Sequence, residues 1–263
     1  MTRHRFFISK EQIRNERVFI SGDQARQIHQ VLRLRAGDKI SVLNNEGWEF
    51  EVDLLTTRPD QVTGRLVKRW QVKSEPWVHL TLFQSSLKQD RFEWILQKGT
   101  ELGVSSFVPM ISKRSVVRQT TLKQNKLARW QRILCEAAEQ SGRGLIPSLA
   151  QPVDFAAALE AAQTSHLAMI PWTGEKENTI STVLAHANHH LSHPVRKIAL
   201  LLGPEGGFAE SEIQAAQLAK IVPITLGLRI LRAETAAIVA ATLTLHETGE
   251  MQLPRSENGK PDV

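Results

Sequence analysis

Ile198-Ala199-Leu200-Leu201-Leu202 runs into Gly203-Pro204-Glu205-Gly206-Gly207. One helical pattern later (Glu210 to Lys220), Ile221-Val222-Pro223-Ile224-Thr225-Leu226 runs into Gly227 and the charged stretch Leu228 to Ala236. A short apolar run that stops at glycine reads as a buried strand ending in a loop. Two such strands joined by one helix predict parallel neighbours, with both loops side by side on one rim of a sheet. Open α/β sheets bind ligands at that rim.

Outward from this pair the same alternation continues back to Val78. Strands are expected at Val78–Phe83, Ser105–Ile111 and His166–Ile170, and helices at Arg91–Leu102, Leu122–Gln140, Val153–Gln163, Asn178–His190 and Glu234–His246. Gly103 reads as a helix C-cap. Before Ser74-Glu75-Pro76 the pattern differs. Arg5–Ile8, Arg17–Ser21, Lys39–Leu43, Trp48–Leu54 and Val62–Trp70 read as short strands around one helix, Asp23–Leu34, with Ile28, Val31 and Leu32 at helical spacing. The fold class is therefore α/β. A small β-barrel domain spans residues 1–74, an α/β domain residues 75–248, and a polar tail, expected to be disordered, residues 249–263.

Charge separates along the 263 residues: net +5 in 1–74, +5 in 75–150 and −4 in 151–263. Lys113 to Arg132 holds seven basic residues and no acidic one. This asymmetry points to a polyanionic partner, nucleic acid first. Cys135 is the only cysteine, which excludes an internal disulfide and fits a reducing cytoplasm. No apolar targeting segment or bilayer-spanning run is present, so no membrane role is expected.

The Gly203–Gly207 loop matches neither standard phosphate-binding glycine pattern. A tight turn is the plain reading; a backbone seat for a ligand is the functional one. The acidic Glu205 suits ribose hydroxyls or a positive charge rather than a phosphate. In the second loop Arg229, Arg232 and Glu234 alternate with Leu228, Ile230 and Leu231, a mixture that suits a pocket for an apolar ring with polar edges. Helix capping by Glu234 and Thr235 is the alternative. His186, His189, His190 and His193 have no nearby carboxylate or cysteine, so a polar helix end is expected there rather than a metal site. Cys135 sits among apolar neighbours and is expected to pack.

These loops resemble the signatures of the RsmE family, ribosomal RNA uridine-N3 methyltransferases of the SPOUT class. So do Gln97–Val104, Glu136–Arg143 and Val31–Asp38, in order and over nearly the whole chain except the tail. Ala233 stands where the family commonly has threonine. The resemblance implies a PUA-like RNA-binding barrel followed by a trefoil-knotted methyltransferase domain, and a homodimer acting on small-subunit ribosomal RNA. It implies S-adenosylmethionine held by Pro171, Leu202, Gly203, Pro204, Glu205, Gly206, Leu226, Gly227, Ile230, Leu231, Arg232 and Ala236, with no metal. For the chemistry, Arg232 and then Arg229 are the candidates to stabilise a uracil anion, at about 3 kcal/mol for each donor. Glu234 is the candidate proton acceptor. Arg5, Arg33, Arg35, Lys88, Arg91, Lys98, Arg114 and Arg143 are expected to track phosphates. Ribose 2′-oxygen methylation and a non-catalytic assembly factor remain as alternatives.

Overall fold

The structure, a computed structural model, describes residues 4–87, 90–116, 120–190 and 194–252. It divides into two compact units, Met1–Glu75 with Cys135–Ile146, and Pro76–Leu134 with Pro147–Val263.

In the first unit the strands are β1 (Arg5–Phe7), β2 (Ile13–Arg14), β3 (Arg17–Ser21), β4 (Lys39–Leu43), β5 (Trp48–Thr57) and β6 (Gln61–Gln71), with helix α1 at Gly22–Arg26. They form one mixed sheet in the order β1-β4-β5-β6-β3-β2, in which only β1 and β4 run parallel. Phe6, Ile20, Ile28, Ile40, Val52 and Leu54 fill its core. The opposite face of β4 is also buried. There Leu43 and Phe7 pack on Ala138, so Cys135–Ile146 closes a second, smaller core far from it in sequence. The helix expected over Asp23–Leu34 is cut short. After α1 the chain widens into a turn in which Leu32 N–H bonds Gln27 O at 2.9 Å, and Val31, read as a core position, is 72% exposed. The wider turn rotates Val31 off the apolar face that 3.6-residue spacing assigns it.

Elements of the second unit are β7 (His79–Ser85), α2 (Arg91–Leu102), β8 (Ser106–Ile111), α3 (Gln124–Ser141, whose last turns belong to the first unit), β9 (Ser148–Leu149), β10 (Val153–Asp154), α4 (Phe155–Ala162), β11 (Leu167–Pro171), α5 (Ile180–His190), β12 (Lys197–Leu202), α6 (Glu210–Leu218), β13 (Val222–Ile224) and α7 (Ala233–Glu247). The sheet is parallel, in the order β10-β8-β7-β12-β11-β13, with β9 on β8. Its central strands β11 and β12 are near-continuous apolar runs because both faces are covered. One face packs Phe83, Met110, Ile170, Ala199 and Leu201 against Ala158, Ile213 and Ala216 of α4 and α6. On α7, Ala237, Ala240, Ala241, Thr244 and Leu245 are buried at helical spacing, and the helix packs on β7, β12, α2 and α5. Gly103 ends α2 at φ +114°, the left-handed conformation of a glycine C-cap. The described fold runs past residue 248, since Glu250 accepts a hydrogen bond from Val78 N–H at 2.9 Å.

One expectation fails here. β12 and β13 are not neighbours: β11 lies between them, pairing Met169 with Leu200 on one side and with Val222 on the other. The crossover through α6 carries the chain past β11 to its far side. All three strands remain parallel, so their ends still share one rim, and the intervening strand adds Pro171 to it.

Candidate active site

At that rim lies a cavity of about 260 Å³. Its walls are Pro171, Trp172 and Thr173 after β11, Leu202 to Phe208 after β12, Thr225 to Gly227 and Arg229 to Leu231 after β13, and Ala233 and Ala236 of α7, with Arg114 reaching in from the loop after β8.

Local chemistry explains each wall. Gly207 N–H donates to Pro204 O at 2.9 Å, closing the glycine turn, and Gly207 sits at φ +64°, where a side chain is strained. A β-carbon on Gly203 would lie 3.3 Å from the Phe208 ring, so the loop is folded tightly on its own aromatic residue. Arg114 Nη1 donates to Gly206 O at 2.8 Å and fixes the outer edge of the turn. On the β11 side, Trp172 N–H extends the ladder to Ile224 O at 2.9 Å. The loop beyond Trp172 is gathered on the Glu175 carboxylate. It accepts from the amides of Asn178, Glu177 and Lys176, which hold it below the usual carboxylate range. Ile230 is 89% exposed yet lines the cavity, an apolar lip open to an incoming group.

Glu234, in the first turn of α7, and Arg232, its N-cap, stand outside the lining. Glu234 Oε1 lies 3.8 Å from Arg91 Nε, and its Oε2 is buried with no hydrogen-bond partner among the described residues. Glu205 Oε1 accepts from Arg91 Nη1 at 3.3 Å. A pocket with a glycine-built floor, apolar walls and carboxylates at its edge suits a small ligand with an apolar ring, hydroxyls and positive charge.

Residues 73–245 match the family described as the RNA methyltransferase domain. Ribosomal RNA small subunit methyltransferase E of Bacillus subtilis is 31% identical over 252 residues, 94% of this chain and 97% of that protein. The protein of the same name from Synechocystis is 34% identical over 240 residues, 90% of this chain and 75% of that protein. The chain belongs to the ribosomal RNA small subunit methyltransferase E family. The structure of a family member from Neisseria gonorrhoeae bound to S-adenosyl methionine superposes with a TM-score of 0.81 at 29% identity, over 93% of this chain and 98% of that one. A methyltransferase from Legionella pneumophila, in complex with the same cofactor, gives 0.81 at 29% identity over 94% and 98%.

Within this family member the residues read from sequence divide clearly. Pro171, Leu202, Gly203, Pro204, Glu205, Gly206, Leu226, Gly227, Ile230, Leu231 and Ala236 all line the cavity, as does Arg229. Ala233, the position where the family commonly has threonine, lines it too, as do Trp172, Thr173, Gly207, Phe208 and Thr225, which were not singled out. Most adjoin residues that were, and adjacency to Pro171 was the available signal for Trp172. The expected phosphate-tracking cations do not behave alike. Arg33 and Arg35 are exposed in the first unit. Arg5 is paired with Glu49 at 3.1 Å, and Lys98 with Glu101 at 2.8 Å. Lys88 lies outside the described residues. Arg114 is a cavity residue. Arg143 corrects the reading. It is 4% exposed, with its Nη2 2.9 Å from Glu75 Oε2, and Glu75 also accepts from the amides of Gly144 and Leu145. A guanidinium so enclosed is an architectural group, with no face left for a phosphate.

The His186 and His190 rings lie 4.3 Å apart, tilted by 48°, at the end of α5 with His189 beside them; His193 lies outside the described residues. Among the described residues no group of three or more His, Cys, Asp or Glu side chains is arranged to hold a metal, and no helix is long and apolar enough to cross a membrane. The Cys135 thiol, pushed up to about 12 by burial and by Glu139, is inert at neutral pH.

Proposed function

We propose that this protein methylates N3 of a uridine in small-subunit ribosomal RNA, with S-adenosylmethionine as methyl donor. The observation that carries this reading is the cavity at the shared strand rim, in a chain of this family. Its residues fit the cofactor. The glycine turn would offer main-chain groups without side-chain bulk, Glu205 would accept from ribose hydroxyls, and Leu226, Ile230, Leu231 and Trp172 would hold the adenine. Bound there, the cofactor supplies an activated methyl group on a sulfonium.

Uracil N3 carries a proton and attacks only when that proton leaves. Glu234 is the proposed acceptor: it stands outside the lining but between Ala233 and Ala236, which line the cavity, and its Oε2 is a buried acceptor without a donor among the described residues, an arrangement costing about 1–3 kcal/mol that an N–H entering past this turn of α7 relieves. Arg229, on the cavity wall, and Arg232, beside it, favour the anion as its charge spreads onto the flanking carbonyls. N3 lies on the pairing edge, so the base must be unstacked or single-stranded to enter. Around this chemistry we place a PUA-like RNA-binding domain at 1–75, closed by Cys135–Ile146, with Arg33 and Arg35 on the RNA, and a trefoil-knotted methyltransferase domain from residue 76 to at least Glu250. The enzyme acts as a homodimer in the cytoplasm.

The test is methylation of small ribosomal subunits from a strain lacking this gene, followed by nucleoside mass spectrometry. N3-methyluridine is the expected product. A 2′-O-methylated nucleoside, or no product despite cofactor binding, overturns the assignment. In the same assay Arg232→Ala lowers kcat by about a hundredfold while calorimetry finds cofactor affinity nearly unchanged. Equal losses of both remove Arg232 from the chemistry.

A further inference from the structure

Arg91 was expected on RNA phosphate; the geometry points instead to a positioning residue that ties the two signature loops together through their carboxylates. This inference rests on the methyl transfer proposed above.

Arg91 is the first residue of α2, and α2 packs along α7. Its side chain therefore reaches the start of α7 and the glycine loop after β12. One guanidinium serves both: Nη1 donates to Glu205 Oε1 at 3.3 Å, and Nε makes an ion-pair contact with Glu234 Oε1 at 3.8 Å. Glu205 lines the cavity, while Glu234 stands outside its lining. So the cofactor wall and the proton acceptor are held by one cation. Two carboxylates meeting at one cation repel each other without it. A phosphate arriving at Arg91 would have to compete with both carboxylates for its charge. The planar fork of arginine presents separate nitrogens, Nη1 and Nε, at fixed positions along its edge, and the single nitrogen of a lysine does not occupy both positions at once.

The experiment uses the full-length protein with Arg91→Ala, Arg91→Lys, Glu205→Gln and the Arg91→Ala/Glu205→Gln double variant. In the methylation assay Arg91→Ala lowers kcat by at least about tenfold while KM for the ribosomal particle stays within about threefold. The salt dependence of RNA binding is unchanged, and Arg91→Lys recovers little of the lost kcat. The double variant loses less than the product of the two single losses, because both remove one contact. Hydrogen exchange, independent of activity, reads faster exchange at the amides of Gly206, Gly207 and Thr235 in Arg91→Ala. The inference is overturned if kcat holds while KM for the particle rises, the salt slope falls by about one and lysine restores binding, the pattern of a phosphate contact. Multiplicative losses, or unchanged exchange in either loop, overturn it as well. A wild-type protein that fails to methylate refutes the proposed function, and the exchange measurement still decides the role of Arg91.

Discussion

Two arginine–glutamate arrangements, one in each unit, invite comparison. Around Glu75 every demand is met: Arg143 is enclosed, and the amides of Gly144 and Leu145 complete the carboxylate's shell. Around Arg91 the contacts are longer, one cation is divided between two anions, and a buried oxygen of Glu234 has no donor among the described residues. A fully satisfied pair holds chain together and leaves nothing for a ligand. An under-satisfied one is a poor device for stability and a good one for chemistry, since its unmet capacity is what a substrate completes.

The largest effect that sharpens this contrast is Arg143→Ala. It strands the Glu75 carboxylate in a shell built for a cation and costs about 3 kcal/mol of unfolding free energy, measured by urea denaturation, with RNA affinity lost only as far as the protein unfolds. A well-folded Arg143→Ala variant with weakened RNA binding and a reduced salt slope breaks the comparison. Next is Glu205→Gln, at the open pair. Cofactor affinity falls about tenfold, or 1.4 kcal/mol, in calorimetry, with the urea midpoint unchanged; a shift in stability instead makes this pair architectural too. The smallest effect concerns Glu139 in the first unit. Its carboxylate accepts the Phe7 amide at 2.8 Å, but burial, opposed by that bond, holds it above the usual carboxylate range. An acid raised in the folded state contributes stability that is complete below its unfolded pKa and is lost as pH rises through the folded one. Glu139→Gln keeps the acceptor without the charge. Its melting temperature therefore matches wild type near pH 4 and exceeds it at pH 7, and a constant difference across that range refutes the burial effect.

Much of the second unit was legible because its strands are covered on both faces and its loops punctuated by glycine. Ile198–Leu202 and Gly103 carry their structure in local pattern. The order β12-β11-β13 was not legible, because a strand's neighbour is set by long-range pairing and not by its own residues. The two-residue strands β9 and β10 are too short to show a period. Val31 misled because the wider turn after α1 leaves no mark in apolar spacing. Arg143 and Arg91 look alike in sequence. Only the carboxylates brought to them by the fold, from 68 residues away for Glu75 and 114 for Glu205, tell enclosure from exposure.

The placement of β11 between β12 and β13 has a consequence for how the protein is made. Two of the cavity's walls, the loop after β13 and the first turns of α7, follow the other walls in chain order and are therefore synthesised after them. A nascent or truncated chain ending before Val222 has the glycine turn but no opposite wall. Competence to bind cofactor therefore arises only once α7 has been added, and ligand bound from then on favours chains that carry both walls over those that lack one by mass action.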